Sequence, residues 1–224
     1  MATVTCAPLV VRTNERPNDS NSRLAHHGWF QYWRARDPIA YRGMLAFDFL
    51  VLAAVHPDVV DIRQHARPIQ WWNGRQWEEY RPRYELTLAD RPTKTERRVD
   101  VEVLSSVDLA QQRLKYGRIS RECREEGRRF LVFTEKSLRA EPRQTNARLV
   151  LAQAGEGLVS DHDLELVRGA VDQGVSLTLN DMVASGVLPY PRAYAAALNL
   201  VARGELSFRP SRLFDGDTCL AGRA

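Results

Sequence analysis

Ile39-Ala-Tyr-Arg-Gly-Met-Leu-Ala-Phe-Asp-Phe-Leu-Val-Leu-Ala-Ala-Val55, closed by His56-Pro57-Asp58, is the stretch on which the fold turns. Pro38 just ahead of it suits a first helical turn, apolar residues follow at helical spacing, and Pro57 cannot continue a helix, so the pattern predicts a helix over 39–55. Beyond it the period changes. Val59 to Arg63, Ile69 to Trp72, Gln76 to Leu88 and Arg97 to Leu104 are rich in β-formers, divided by Asn73-Gly74 and by Ala89-Asp-Arg-Pro92, and are expected to pair as a central sheet. Leu109 to Glu126 is amphipathic and ends at Gly127, and Arg128 to Phe133 is a short apolar run. Together they read as a strand, helix, strand crossover, hence an α/β fold with a mixed sheet flanked by helices. A closing helix is expected over 146–154.

On the N-terminal side, residues 13–23 are turn formers without apolar periodicity, so 1–27 reads as an extended arm. On the other side, Gly155-Glu156-Gly157 is a linker that separates an α/β domain over 28–155 from a helical domain over 156–224. In that second part helices are expected at 160–172, with Ser160 and Asp161 near the cap, at 178–185 and at 191–203, followed by a strand over 205–209. Gly204 ends the third helix before that strand, an order that reads as a small winged helix-turn-helix domain.

At 224 residues, 44% of them apolar and 27% charged, the chain can bury one sizeable core and a small satellite. Its longest apolar run, Met44 to Val55, is broken by Asp48 and falls short of the ~20 residues a membrane span needs. No basic, apolar and small-residue succession at the N-terminus reads as a secretory leader, so a cytoplasmic protein with no membrane partner is expected. Cys6, Cys123 and Cys219 form no CxxC pair and read as reduced bystanders. The net charge of +4 hides an asymmetry: residues 1–155 hold 26 basic and 19 acidic residues, whereas 156–224 hold 6 and 9. Of the 32 basic residues 29 are arginine, the side chain best suited to bidentate phosphate contacts, although a base-composition bias gives the same excess. Arg113, Lys115 and Arg118 load the crossover helix and are candidate DNA contacts, with a solvated helix face as the plainer account. Trp71 and Trp72, with Trp77 across the Asn73-Gly74 turn, could stack on nucleic acid or simply pack across strands. His26-His27 has no acidic or cysteine neighbours that would make it a metal site.

Tyr41-Arg-Gly-Met-Leu-Ala-Phe-Asp-Phe49 ahead of His56-Pro-Asp-Val59, then Arg63-Gln-His-Ala-Arg-Pro68 and Phe133-Thr-Glu-Lys136, resembles in order and spacing the TnsA family, the endonuclease subunit of heteromeric transposases. The resemblance runs from Trp29 to about Val150 with the tail behind it. It implies a restriction-endonuclease-like core of the PD-(D/E)xK type followed by a winged helix, and a chemistry in which carboxylates hold Mg²⁺ for phosphodiester hydrolysis beside a lysine. The family positions fall here on Ala46, Arg83, Glu102 and Leu104, so only Glu102 keeps its chemistry, and Arg83 sets a cation where a metal is expected. What the resemblance then implies is a catalytically inactive, DNA-binding protein of a mobile genetic element, without metal or other cofactor, partnered with a transposase or transposition ATPase subunit and able to form a homodimer. Displaced ligands are the alternative: Glu85 lies on the same side of its strand as Arg83 and Asp100 shares a face with Glu102, so these carboxylates could serve an active Mg²⁺ endonuclease, whereas ion pairing with Arg83, Arg97 and Arg98 is the plainer use of them. Asp48 lies two helical positions, about 200°, from Ala46 and cannot replace it. A sequence-specific regulator on the same fold, or an adaptor that touches no DNA, are the other readings.

Overall fold

Gly43 holds φ at +86°, a backbone state that side chains disfavour, and there it divides the deciding stretch in two. The computed structural model, which describes residues 26–64, 66–90, 93, 95–172 and 177–222, begins with β1 (His27–Phe30) paired antiparallel to β2 (Ile39–Arg42). Only then does α1 (Met44–Val55) start. The helix expected over 39–55 is therefore a strand and a shorter helix, because the first four residues bond to β1 and the glycine turns the chain. Of the expected arm, residues 1–25 lie outside the described residues and His27 already opens β1.

Next come β3 (Val59–Gln64), β4 (Ile69–Trp72), β5 (Trp77–Tyr80), β6 (Tyr84–Asp90) and β7 (Thr95–Val103). The run expected over 76–88 is split at Arg81-Pro82-Arg83, since a proline donates nothing to a ladder. As a result β4 and β5 form a separate two-stranded ribbon, not part of the main sheet. After α2 (Ser106–Gln111), capped by the Ser105 hydroxyl on the Asp108 N–H, and α3 (Arg113–Glu125), the strand β8 (Arg129–Phe133) returns parallel to β7, Val99 opposite Arg129 through Val103 opposite Phe133. The expected crossover is thus present, with its helix broken at Gln112, where φ and ψ leave the helical region. The main sheet is mixed and four-stranded, in the order β3-β6-β7-β8.

Then follow α4 (Glu135–Leu138), α5 (Arg143–Gln153), α6 (Asp161–Asp172), α7 (Leu179–Ala184), α8 (Tyr190–Arg203), β9 (Leu206–Ser207) and β10 (Ala221–Gly222). Gly204 ends α8 in the left-handed region at φ +76°. The strand expected over 205–209 shortens to β9, which pairs antiparallel with β10, while Leu177, between α6 and α7, bridges Leu220.

Three groups of buried apolar side chains hold this together. α1 is apolar nearly all round and is correspondingly buried. Phe49 stacks on Tyr84 with ring centroids 5.3 Å apart and meets Phe133 at 5.4 Å, so the helix covers the face of the sheet carrying Tyr84, Leu86, Val99, Val101 and Val103. A second cluster centres on α8, packed by α5, α6 and α7. The third joins the ribbon to α3 through Ile69, Trp71, Tyr80, Tyr116, Ile119 and Phe130. Trp33 and Val55 touch both of the first two clusters. Among the described residues no helix is long and apolar enough to cross a membrane.

Candidate nucleic-acid interface

Alternation along β6 and β7 sends every second side chain away from α1. Glu85 lies opposite Asp100 and Thr87 opposite Arg98, and continuing the same register sets Arg83 against Glu102. The strands thus gather Arg83, Glu85, Arg98, Asp100 and Glu102 on one face, where the resemblance expects chemistry.

Each of these three carboxylates is taken by an arginine. Glu102 is only 1% exposed; its Oε1 lies 3.5 Å from Arg83 Nε and accepts the Val103 N–H at 3.1 Å, while its Oε2 accepts the Tyr80 hydroxyl. Burial, reinforced by the Glu102 charge, drives the Tyr80 hydroxyl far above the usual phenol range, so it remains a donor. Asp100 Oδ2 pairs with Arg128 at 2.7 Å, and its other oxygen is buried without a partner. Burial raises the Asp100 carboxyl above the usual carboxylate range, with Arg128 pulling the other way. Glu85 sits 3.8 Å from Arg98 Nε. The pairing expected with Arg83 and Arg98 is therefore seen, whereas Arg97 falls on the opposite parity and Arg128 takes its place beside Asp100.

Mg²⁺ does not fit this arrangement. Both Glu102 oxygens are engaged, a guanidinium stands beside each of the three carboxylates, and among the described residues no three His, Cys, Asp or Glu side chains converge as a ligand set. Ala46 is fully buried in α1 and offers no oxygen, and Leu104, just past β7, packs against the ribbon cluster. Asp48 is held away from the face by Arg139 and Arg148, each at 2.8 Å, and by the Gln144 amide.

The cationic and aromatic candidates divide. Arg113 is exposed at the start of α3. Lys115 Nζ lies over the Tyr80 ring at 5.0 Å and the Tyr116 ring at 5.5 Å, so its charge is held against the ribbon cluster. Arg118 donates to the Trp72 carbonyl at 3.4 Å and sits 3.1 Å from where a side chain on Gly74 would begin. Trp71, a candidate either for stacking or for packing, packs: it is buried with Ile69 and Tyr80 against α3, on the inner face of the ribbon. Trp72 alternates to the outer face and stays 38% exposed, and Trp77 opposite it is 60% exposed. Beside β3 an open cleft collects Arg34, Arg36, Arg63 and Arg98, with Asp37, Asp61 and Glu96 among them.

Sequence reasoning passed over Tyr80 and the particular role of Arg128. Tyr80 sits in an exposed-looking polar run, and its alternation with Glu78 on a strand paired to Ile69 was the available signal. Arg128 lay in a crowd of arginines, one position ahead of a strand parallel to β7. In the helical part, α8 follows α7 as a reading helix would, yet its residues from Ala193 to Ala202 are buried or half-buried, Arg192 is paired with Asp163 and Arg203 with Asn199. Compared with protein-family models and with curated protein sequences, the chain finds no match.

Proposed function

We propose that this chain is a DNA-binding protein that retains a nuclease-like sheet without its metal chemistry, and that it serves in the cytoplasm as the partner of a transposase or transposition ATPase of a mobile element. The observation that carries the reading is the Arg83–Glu102 pair: at the two family positions that meet across β6 and β7, a half-buried arginine paired with a buried glutamate stands in place of a metal ligand set. The winged helix-turn-helix reading of residues 156–224 is supported by the order of three helices, the Leu177–Leu220 bridge and the β9–β10 ribbon. Because α8 has no free basic face, the DNA contacts in this reading come from the residues before Gly155, where the positive charge lies.

The test uses the whole chain on a short blunt duplex. Expected is binding in which the logarithm of the association constant falls linearly with the logarithm of salt concentration, with a slope of about −0.9 per phosphate contact, and no plasmid nicking when Mg²⁺ or Mn²⁺ is added. Duplex binding that is absent or indifferent to salt overturns the reading, as does metal-dependent nicking.

A further inference from the structure

We propose that the tip of the β4–β5 ribbon is a stacking site for unpaired DNA bases, an inference that rests on the reading of the chain as a DNA-binding protein. Trp72 and Trp77 are the last register pair before the Asn73-Gly74 turn, on the outer face of the ribbon, with ring centroids 5.8 Å apart and planes inclined by 62°. Their exposure serves no packing need. The inner face of the same ribbon is already buried through Ile69, Trp71 and Tyr80 on Tyr116 and Ile119 of α3, so the ribbon is anchored without the outer indoles. The turn that presents them is braced: Asn73 Oδ1 accepts the N–H groups of Arg75 at 2.7 Å and Gln76 at 3.0 Å. Gly74 at φ +106° lets the Arg118 guanidinium close in behind it.

The charge around the indoles matches a nucleic-acid strand. Arg75 is exposed in the turn and Arg118 flanks it, while Glu79 is paired with Arg81 at 2.9 Å and Glu78, opposite Trp71, falls on the other face of the ribbon from the two indoles. Phosphates alone would call for cations without aromatics. A pair of rigid indole faces beside two guanidiniums suits a strand whose bases are open to stacking, which within a duplex they are not. Unpaired DNA is the occupant to which the geometry points.

Fluorescence anisotropy with a labelled oligo-dT strand, and with a blunt duplex of equal length, tests this on the full chain. Trp77→Ala should weaken oligo-dT binding about ten-fold, Trp77→Phe should restore most of it, and duplex affinity should stay within about two-fold. Arg75→Glu, in an exposed turn, should weaken oligo-dT binding several-fold and gives a readout independent of the indole. Oligo-dT binding that is absent, unchanged in these variants, or lost only in parallel with duplex binding overturns the stacking site. Salt-sensitive duplex binding with Trp77-independent oligo-dT binding refutes the site and leaves the DNA-binding reading standing. Trp77-dependent oligo-dT binding without duplex binding supports the site and the DNA-binding part of the proposed function while overturning its duplex-binding part, and a chain that binds neither probe refutes both. A protein partner at the tip would show as variants that alter neither affinity, which also counts against the proposal.

Discussion

Removing the Arg83 guanidinium should destabilise the fold by an amount that the surroundings of Glu102 set. Glu102 is 1% exposed and the Arg83 side chain 22%, with 3.5 Å between Nε and Oε1. Deleting one partner of a fully buried ion pair costs about 3–5 kcal/mol. Here Arg83 keeps some contact with water, the pair is long, and Glu102 still accepts the Tyr80 hydroxyl and the Val103 N–H, so the expected loss for Arg83→Ala is about 1–3 kcal/mol. For a chain of this length that is about 2–4 °C of melting temperature per kcal/mol. Urea unfolding of Arg83→Ala, Glu102→Gln and the double variant isolates the pair: once Glu102 is neutral the arginine has less to offset, so the double variant should lose about 1 kcal/mol less than the sum of the singles. Strict additivity, or an Arg83→Ala variant as stable as the parent, refutes the placement of the cation on Glu102.

Tyr80→Phe removes a donor to a buried carboxylate and should cost about 1.5–3 kcal/mol in chemical denaturation; a neutral effect would mean Glu102 does not depend on that hydroxyl. Asn199→Ala deletes the amide that donates to the Gln153 and Gly155 carbonyls at 2.7 and 3.1 Å, and a loss of about 2–4 kcal/mol with faster proteolysis near Gly155 is expected, equal proteolysis rates being the contrary result. Asp163 is held below the usual carboxylate range, chiefly by its hydrogen bond from Arg192. Its stabilising effect is therefore present above the ordinary carboxylate pKa and lost as pH falls through the depressed folded value, so Asp163→Asn should be less stable than the parent at neutral pH and converge with it in acid. A gap between the two that widens toward acid pH contradicts the pairing.

The crossover between β7 and β8, the parallel pairing it forces and the three terminal helices were legible because each rests on a local pattern: period-two runs, an amphipathic helix, glycines at helix ends. Local pattern misled at Ile39 to Arg42, whose apolar spacing continues that of α1 while Gly43 turns the backbone; the partner strand β1 lies just ahead, across residues 31–38, but is only four residues long and carries no period-two run that marks it. Local pattern left Trp71 open between stacking and packing, since the inner and outer faces of the ribbon are assigned only once α3 packs on one of them. At the candidate site, strand parity put Glu85 with Arg83 and Asp100 with Glu102; that the two pairs share one face came with the register of β6 on β7. Which arginine meets which carboxylate did not, because Arg128 reaches Asp100 through sheet order, not through nearness in sequence.

The glycines at 155 and 157 punctuate the sequence, but hydrogen bonds sew the molecule across them. Asn146 on α5 donates to the Arg212 carbonyl at 2.7 Å and accepts the Phe214 N–H at 2.8 Å, and Asn199 on α8 reaches back to residues 153 and 155. α5 supplies Ala147 to one buried cluster and Val150 to the other. In evolutionary exchange such a tail is not a detachable cassette. A recombination that replaced everything after residue 157 would bring in a helix shaped for another α5, strand Asn146 without its Arg212 and Phe214 partners and leave the Gln153 and Gly155 carbonyls without the Asn199 amide, so the two halves can change only in step, and a graft meant to move the helical part to a new scaffold has to carry α5 with it.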